Sequence, residues 1–264
     1  MHLDFSSKKS FLCVGLDTDL QKIPLFMRNK PHAILDFNRQ IIEATLPYTL
    51  AYKINTAFYE CLGIEGWNIM EKTLELIPSN VMKIADAKRG DIGNTSKMYA
   101  KTFFETFDFD AITVAPYMGE DSVMPFLEYE NKWVFLLALT SNAGAKDFQW
   151  MKEEDTFLYE KVINTSQTWA KKAAGNLGYV VGATRSEQLT HIRSLIPDSL
   201  LLVPGVGAQG GDLHEVCKHG KSAQGGLLIN SSRGIIYASQ DEDFASRAKQ
   251  EAQSLQNEMK SYFV

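Results

Sequence analysis

The chain has 264 residues and a formal net charge of −5, which allows a large core and gives no basic excess that would predict nucleic-acid binding. Its three cysteines, Cys13, Cys61 and Cys217, lie far apart without a CxxC pair, as is typical of reduced thiols rather than of a disulfide framework. Residues 1–10 lack the apolar stretch of a signal peptide, and the longest apolar run, Trp133–Leu139, is too short to span a bilayer. We therefore expect a cytoplasmic protein without a membrane partner.

Short apolar runs alternate with longer helical patterns along the whole chain, as in repeated βα units. The predicted strands are Phe11–Asp17, Ala51–Ala57, Val81–Lys88, Ala111–Pro116, Trp133–Thr140, Tyr179–Thr184, Leu200–Gly205 and Gly226–Ser231. The predicted helices include Ile34–Leu46, Gly66–Ile77, Thr95–Phe107, Phe157–Ala174, Glu187–Leu195 and Glu242–Met259. This order favours a single α/β domain over residues 1–264, folded as a (β/α)8 TIM barrel. An open doubly wound sheet is the alternative, but no GxGxxG follows the first strand.

One long connection, Ser141–Asp155, follows the fifth predicted strand. Long connections in compact domains are often functional, and we therefore regard this segment as a candidate active-site flap.

Alternation along the strands predicts which polar side chains share a face. Asp17 ends the first predicted strand, Lys53 lies in the second, and Asp86 and Lys88 lie two residues apart in the third. We expect all four side chains to point inward near the carboxyl ends of three consecutive strands. Barrel enzymes place their chemistry at that end.

The third strand leads into a dense group of charges. The segment Asp86-Ala-Lys88-Arg-Gly-Asp91 holds two carboxylates and a lysine, and Lys53 comes from the neighbouring strand. A structural ion-pair network is one interpretation, because buried ions need partners. The functional interpretation is a Lys-Asp-Lys-Asp array, in which the carboxylates keep both ammonium groups charged as electrostatic stabilisers and proton donors.

Asp86-x-Lys88-x-x-Asp91 resembles the DxKxxD signature of the orotidine 5′-monophosphate decarboxylase suprafamily. The further segments that agree with the decarboxylase family are Gly15-Leu-Asp17, Tyr52-Lys53-Ile-Asn55, Asp86 to Thr95, Leu139-Thr-Ser-Asn142, Val203 to Asp212 and Asn230-Ser-Ser-Arg233. A lone DxKxxD has little specificity, but these matches follow the family order from the first strand to the eighth. The chain is similar to the longer bacterial branch of that family.

The resemblance implies an enzyme of pyrimidine biosynthesis, a lyase that converts orotidine 5′-monophosphate to uridine 5′-monophosphate and CO₂ without metal or organic cofactor. It implies that Lys88 stabilises the carbanion at C6 of the pyrimidine and protonates it. Asp86 would lie near the departing carboxylate, and Lys53 would orient Asp86 and bind the ribose. Asp91 would come from the other subunit, so the resemblance also implies a homodimer with shared active sites.

The resemblance extends to residues that would bind the nucleotide. Asp17 would accept a hydrogen bond from a ribose hydroxyl, although it could simply close a strand end. Thr95 would reach the ribose across the dimer, or it could cap the following helix, as Asn94 or Ser96 could. Ser141 would meet the amide edge of the pyrimidine, with a polar loop residue as the alternative.

The phosphate would be bound after strands seven and eight, where barrels often bind phosphate. The glycine-rich segment Gly205–Gly211 would offer backbone N–H groups, and Gln209 would bridge phosphate and base. Arg233 would supply a guanidinium fork for the phosphate oxygens. Ser232 is a departure, because many relatives have a glycine before this arginine.

Three other functions compete with this one. Magnesium-dependent 3-keto-gulonate-6-phosphate decarboxylases and hexulose-6-phosphate synthases share DxKxxD, but they typically carry an acidic metal ligand where this chain has Lys53. A Schiff-base aldolase would need Lys53 or Lys88 to be neutral, and flanking carboxylates oppose that. A catalytically inactive nucleotide-phosphate-binding protein is the third.

Overall fold

The computed structural model describes residues 4–183, 186–206 and 211–263. The strands are β1 Leu12–Gly15, β2 Ala51–Asn55, β3 Met82–Arg89, β4 Ala111–Val114, β5 Trp133–Leu139, β6 Lys152–Glu153, β7 Thr156–Phe157, β8 Asn176–Val181, β9 Leu201–Pro204 and β10 Leu227–Ser231. A closed barrel contains β1-β2-β3-β4-β5-β8-β9-β10 in that order, with β10 beside β1, while β6 and β7 form a separate antiparallel pair. The predicted (β/α)8 class is confirmed, and the open doubly wound sheet is wrong.

Helices follow the barrel strands along the chain. The α-helices are α1 Phe5–Lys8, α2 Leu25–Arg28, α3 Ala33–Thr45, α4 Ala57–Glu60, α5 Ile64–Glu75, α6 Gly93–Lys101, α7 Glu120–Leu127, α8 Ala145–Phe148, α9 Leu158–Ala170, α10 Ser186–Leu195, α11 Leu213–Gly220, α12 Arg233–Ile236 and α13 Phe244–Met259. Leu46–Tyr48 and Lys260–Tyr262 are 3₁₀ turns. Within the described ranges, no helix is both long and apolar enough to cross a membrane.

Several helices differ from the sequence-based expectation. The predicted helix Thr95–Phe107 begins earlier, as α6, and gives way after Lys101 to a π-helical turn over Thr102–Thr106. This wider turn accompanies the burial of two consecutive rings, Phe103 and Phe104. Helix α7 is absent from the predicted set, and the proline in its interior, Pro125, obscures its helical pattern.

The long connection after β5 has secondary structure of its own. It contains α8 and the first strand of the β6–β7 hairpin. The Gln149 side chain closes it, because its Oε1 accepts from the Thr140 N–H at 2.8 Å and its Nε2 donates to Thr140 Oγ1 at 2.8 Å. The rings of Trp150, Phe157 and Tyr159 pack together with centroids 5.2–5.6 Å apart. Its role as a flap stays a prediction.

The chain divides into two compact units, which we describe separately. The first comprises His2–Asp86 and Ile229–Val264, and the second comprises Ala87–Leu228. The prediction of one domain over residues 1–264 stays a prediction.

In the first unit, β1 pairs in parallel with β2 and β10, and β2 pairs with β3 up to Asn55 opposite Asp86. The predicted alternation holds along β2. The buried Tyr52 hydroxyl donates to the Ile42 carbonyl of α3 at 3.0 Å and bonds Thr45 at 2.8 Å. Successive strand residues face opposite sides, so Lys53 points away from that helix.

In the second unit, β5 pairs in parallel with β4 and β8, and β8 pairs with β9. Their side chains are mostly buried, as expected for parallel strands covered by helices. The carboxyl end of β5 leads into the segment that holds the predicted site residue Ser141.

Candidate active site

Three predicted site residues of the first unit meet in one ion-pair group. Lys53 Nζ lies 2.8 Å from Asp86 Oδ2 and 3.4 Å from Asp17 Oδ1. Lys53 is buried, with an exposed fraction of 4%, while Asp86 and Asp17 are partly buried, with exposed fractions of 11% and 19%. The predicted convergence of Asp17, Lys53 and Asp86 is therefore observed, while their catalytic roles stay predictions.

The ammonium of Lys53 stays protonated despite its burial. Burial by itself lowers the pKa of Lys53, but the negative charges of Asp17 and Asp86 and the hydrogen bond to Asp86 raise it by more in total. The pKa of Lys53 therefore lies well above its ordinary value. This lysine is a permanent positive charge that holds two carboxylates in place.

Ser232 also binds this group, although the sequence did not identify it as a site residue. Its Oγ lies 2.8 Å from Asp17 Oδ2 and 3.0 Å from the Gly15 carbonyl, and its single proton can be donated to either. A Cβ at position 15 would lie 2.8 Å from both Cβ and Oγ of Ser232. Only glycine therefore allows the approach of Ser232 to the end of β1.

Cys13 lies in β1 beside these charges. Its thiol is fully buried and contacts Asn230 Oδ1 at 3.7 Å. Burial raises the pKa of the Cys13 thiol to about 12, an effect that the Lys53 charge opposes only in part. Cys13 is thus a neutral packing residue at neutral pH rather than a nucleophile.

Lys88 belongs to the second unit and has an unusual backbone. It is exposed, and its φ of 46° lies in the left-handed region that non-glycine residues rarely adopt. Its N–H donates to Thr113 Oγ1 of β4 at 3.0 Å. Simple strand alternation does not apply at such a residue, so the predicted shared face with Asp86 does not follow from the strand pattern.

Asp91 and Thr95 follow Lys88 at the start of α6. Asp91 Oδ1 accepts from the Ile92 N–H at 2.8 Å, and Thr95 is exposed. The alternative role of Thr95, Asn94 or Ser96 as a helix cap is wrong. The N-cap position is Ile92, which makes no side-chain capping bond.

Ser141 lines a cavity of about 580 Å³ after the end of β5. Asn142, Lys146, Trp150 and Gln188 line it as well. Its wall is closely packed just after β8, because a Cβ at Gly182 would lie 2.8 Å from the backbone nitrogen of Ser141. The predicted pyrimidine-binding serine therefore borders a space with both polar and aromatic walls.

The predicted phosphate residues are described only in part. Arg233 is exposed and begins the short helix α12, directly after Ser232. Gln209 lies outside the described residues, together with most of the glycine-rich segment after β9.

Nothing in the sequence pattern singled out Ser232, since its partner Asp17 is 215 positions away along the chain.

Comparisons with known proteins agree on one family. The family model "Orotidine 5'-phosphate decarboxylase / HUMPS family" matches residues 10–248. The chain is 58% identical over 257 residues to the orotidine 5'-phosphate decarboxylase of Christiangramia forsetii, an alignment that covers 96% of this chain and 94% of that protein. It is 56% identical over 262 residues to the orotidine 5'-phosphate decarboxylase of Flavobacterium johnsoniae, covering 98% and 95% respectively.

A solved structure shows the same architecture. The structure of Leishmania donovani OMP decarboxylase matches with a TM-score of 0.83 and 37% sequence identity, over 98% of this chain and 97% of that one. The family match spans most of the chain and includes the Asp86-x-Lys88-x-x-Asp91 segment. The chain belongs to the orotidine 5′-phosphate decarboxylase / HUMPS family.

Proposed function

We propose that this protein decarboxylates orotidine 5′-monophosphate to uridine 5′-monophosphate and CO₂, and that it does so without a cofactor. The observation that carries the proposal is the buried Lys53 ammonium, which pairs with both Asp17 and Asp86. Asp86 is the first residue of the DxKxxD segment. The curated relatives that share more than half of their residues with this chain carry the same activity in their names.

The reaction breaks the bond between C6 of the pyrimidine and its carboxylate. The electron pair of that bond stays on C6 as a carbanion, and CO₂ leaves. Lys88 stabilises the growing negative charge with its ammonium group and then transfers a proton to C6. A compact charge carrying transferable protons suits both steps, and stabilising developing charge is usually the largest contribution to catalysis.

Lys53 and Asp86 act together in this proposal. The hydrogen bond of 2.8 Å fixes the Asp86 carboxylate, which lies near the departing carboxylate of the substrate. Repulsion between the two carboxylates raises the energy of the bound substrate, but we assign the larger share of catalysis to stabilisation of the carbanion.

The backbone of Lys88 supports its assignment. Residues held in sparsely populated regions of φ and ψ cost on the order of 1–3 kcal/mol each and cluster at active sites. Lys88, with a φ of 46°, is such a residue, and the hydrogen bond from its N–H to Thr113 holds it there. A strained lysine inside the family signature is consistent with a catalytic role.

The nucleotide is bound by the remaining predicted residues. Asp17 accepts a hydrogen bond from a ribose hydroxyl, which is possible because each carboxylate oxygen can accept more than one hydrogen bond. Thr95 contacts the ribose and Ser141 the amide edge of the pyrimidine. Gln209 and Arg233 bind the phosphate, with Gln209 also reaching the base.

The active form is a homodimer in which Asp91 and Thr95 of one subunit complete the site of the other. Exposed apolar residues in the second unit, which also holds Asp91 and Thr95, support this dimer. Ile92 and Met98 flank Thr95 along the chain, and Tyr117, with an exposed fraction of 89%, follows β4 together with Met118. Such a concentration of exposed apolar side chains is typical of a protein interface. The cytoplasmic location stays a prediction.

The magnesium-dependent alternative conflicts with the position of Lys53. Its Nζ is within 3.4 Å of carboxylate oxygens of both Asp17 and Asp86, the place where two acidic ligands would hold a cation. The ammonium would repel a metal ion there. A Schiff base at Lys53 is also disfavoured, because its raised pKa keeps the amine protonated.

The direct test is turnover in the presence of a chelator. Purified protein is incubated with orotidine 5′-monophosphate and excess EDTA, and the formation of uridine 5′-monophosphate is followed by its absorbance. We expect the same rate with and without EDTA. Loss of turnover on chelation, with recovery on adding Mg²⁺, would support the metal-dependent alternative, and no product under either condition would refute the decarboxylase proposal.

A subunit-mixing experiment tests the shared site. Lys88→Ala and Asp91→Ala proteins should each be inactive, but a mixed dimer has one site with Lys88 from one subunit and Asp91 from the other, both intact. Random exchange should therefore restore about a quarter of wild-type activity in a twofold-symmetric dimer. Absence of recovery after verified subunit exchange would contradict the assignment of Asp91 to the partner's site.

A further inference from the structure

We propose that Ser232 and Tyr237, which come from the segment after β10, are positioning residues that hold Asp17 in the orientation that binds the ribose. The inference rests on the proposed function, because it assigns to these residues an effect on nucleotide binding. Neither residue would touch the reacting atoms. They act through Asp17.

Ser232 fixes the side chain of Asp17. Its hydroxyl lies 2.8 Å from Asp17 Oδ2, and Lys53 Nζ lies 3.4 Å from Oδ1. The two donors therefore approach different oxygens, and together they oppose rotation of the carboxylate plane. A hydrogen bond to a carboxylate is stronger than one between neutral groups. Each oxygen keeps acceptor capacity for a ribose hydroxyl.

Tyr237 fixes the backbone of Asp17 and of Asp19. Its hydroxyl donates to the Asp17 carbonyl at 3.0 Å and accepts from the Asp19 N–H at 2.8 Å. The Tyr237 ring stacks on Phe37, with centroids 6.0 Å apart, so the hydroxyl is delivered by a packed side chain. Burial raises the pKa of Tyr237 to about 12, so the phenol remains a donor throughout the neutral range.

A buried network anchors the neighbouring residues. Tyr59 donates its hydroxyl proton to the Leu16 carbonyl at 3.0 Å, and Thr18 donates to Asn38 Oδ1 at 2.6 Å. Leu16, Tyr59, Thr18 and Asn38 are all buried. Every residue from position 16 to position 19 is thus held, through the backbone at Leu16, Asp17 and Asp19 and through the side chain at Thr18. Asp17 is the member of this stretch whose side chain reaches the ion-pair group.

The positioning roles of Ser232 and Tyr237 can be tested, because each role depends on one hydroxyl group that a small substitution removes. Ser232→Ala and Tyr237→Phe remove only a hydroxyl, and each should lower kcat/KM for orotidine 5′-monophosphate by about tenfold. The loss should appear mainly in KM, since the proposed defect concerns binding of the ribose rather than transfer of the proton.

The matched control is Tyr179→Phe in β8. Its buried hydroxyl also has protein partners, Ser166 Oγ at 2.9 Å and the Ile163 carbonyl at 3.4 Å, but none in residues 16–19. We expect a similar loss of thermal stability from Tyr179→Phe and an unchanged kcat/KM. A structural effect alone would make all three hydroxyl deletions behave alike.

The deciding measurement combines each variant with Asp17→Asn. If Ser232 and Tyr237 act through Asp17, their effects should shrink to about twofold or less in the Asp17→Asn background, because residues that act as a unit are not additive. Unchanged kcat/KM in the single variants, or full additivity in the doubles, would overturn the positioning role while leaving the decarboxylase proposal intact. A wild-type protein that forms no product would overturn the proposed function and this inference with it.

Discussion

Lys88→Ala is expected to lower kcat for orotidine 5′-monophosphate by about 10⁴-fold or more. General acid catalysis contributes roughly 10²–10⁴-fold, and a positioned charge that stabilises an anion adds a further large factor. The fold should persist, because Lys88 is exposed. Alanine and lysine also have similar difficulty with a positive φ, so the substitution isolates the loss of the ammonium group.

Two further substitutions sharpen this test. Lys83→Ala removes a lysine from the same strand outside the proposed machinery and should leave kcat within a few-fold of wild type. Lys88→Arg retains a positive charge but replaces a compact proton donor by a planar guanidinium that does not deprotonate, so we expect activity close to that of Lys88→Ala. Rates within tenfold of wild type in either Lys88 variant, measured by single-turnover kinetics, would contradict the proposed role.

Lys53→Met is expected to lower the free energy of unfolding by about 3–5 kcal/mol, the usual result of removing one partner from a buried ion pair. The substitution leaves the partly buried Asp17 and Asp86 carboxylates without their shared cation. Lys22→Met is the matched control. Lys22 Nζ lies 3.7 Å from Asp19, but its side chain is half exposed, so its loss should cost less than about 1 kcal/mol. Urea denaturation followed by circular dichroism measures both.

The difference in stability between wild type and Lys53→Met should depend on pH, because the pKa of Lys53 is raised in the folded protein. A group whose pKa is higher in the folded protein stabilises it fully below the unfolded value of 10.5, and that contribution is lost as the pH rises through the folded value. The stability gap between wild type and Lys53→Met should therefore stay constant from pH 7 to about 10 and shrink above that. A gap that already closes between pH 7 and 9 would show that Lys53 is not held charged by Asp17 and Asp86.

Much of this protein was predictable because its signals are local. Apolar runs separated by helical patterns predicted all eight barrel strands, and the side-chain period of two placed Asp17, Lys53 and Asp86 on a common side. The DxKxxD segment lies within six residues, so it could be read directly from the chain.

Other features depend on partners that are remote in sequence. Ser232 and Tyr237 reach Asp17 only because β10 returns beside β1, more than two hundred positions along the chain. The left-handed conformation of Lys88 reflects its hydrogen bond to Thr113 on β4 and has no sequence signature. The residue pattern by itself determined the class of fold and the charged residues of the candidate site. Closure of the barrel decided which neutral hydroxyls hold those charges, because hydrogen bonds depend on distance in space and not on separation along the chain.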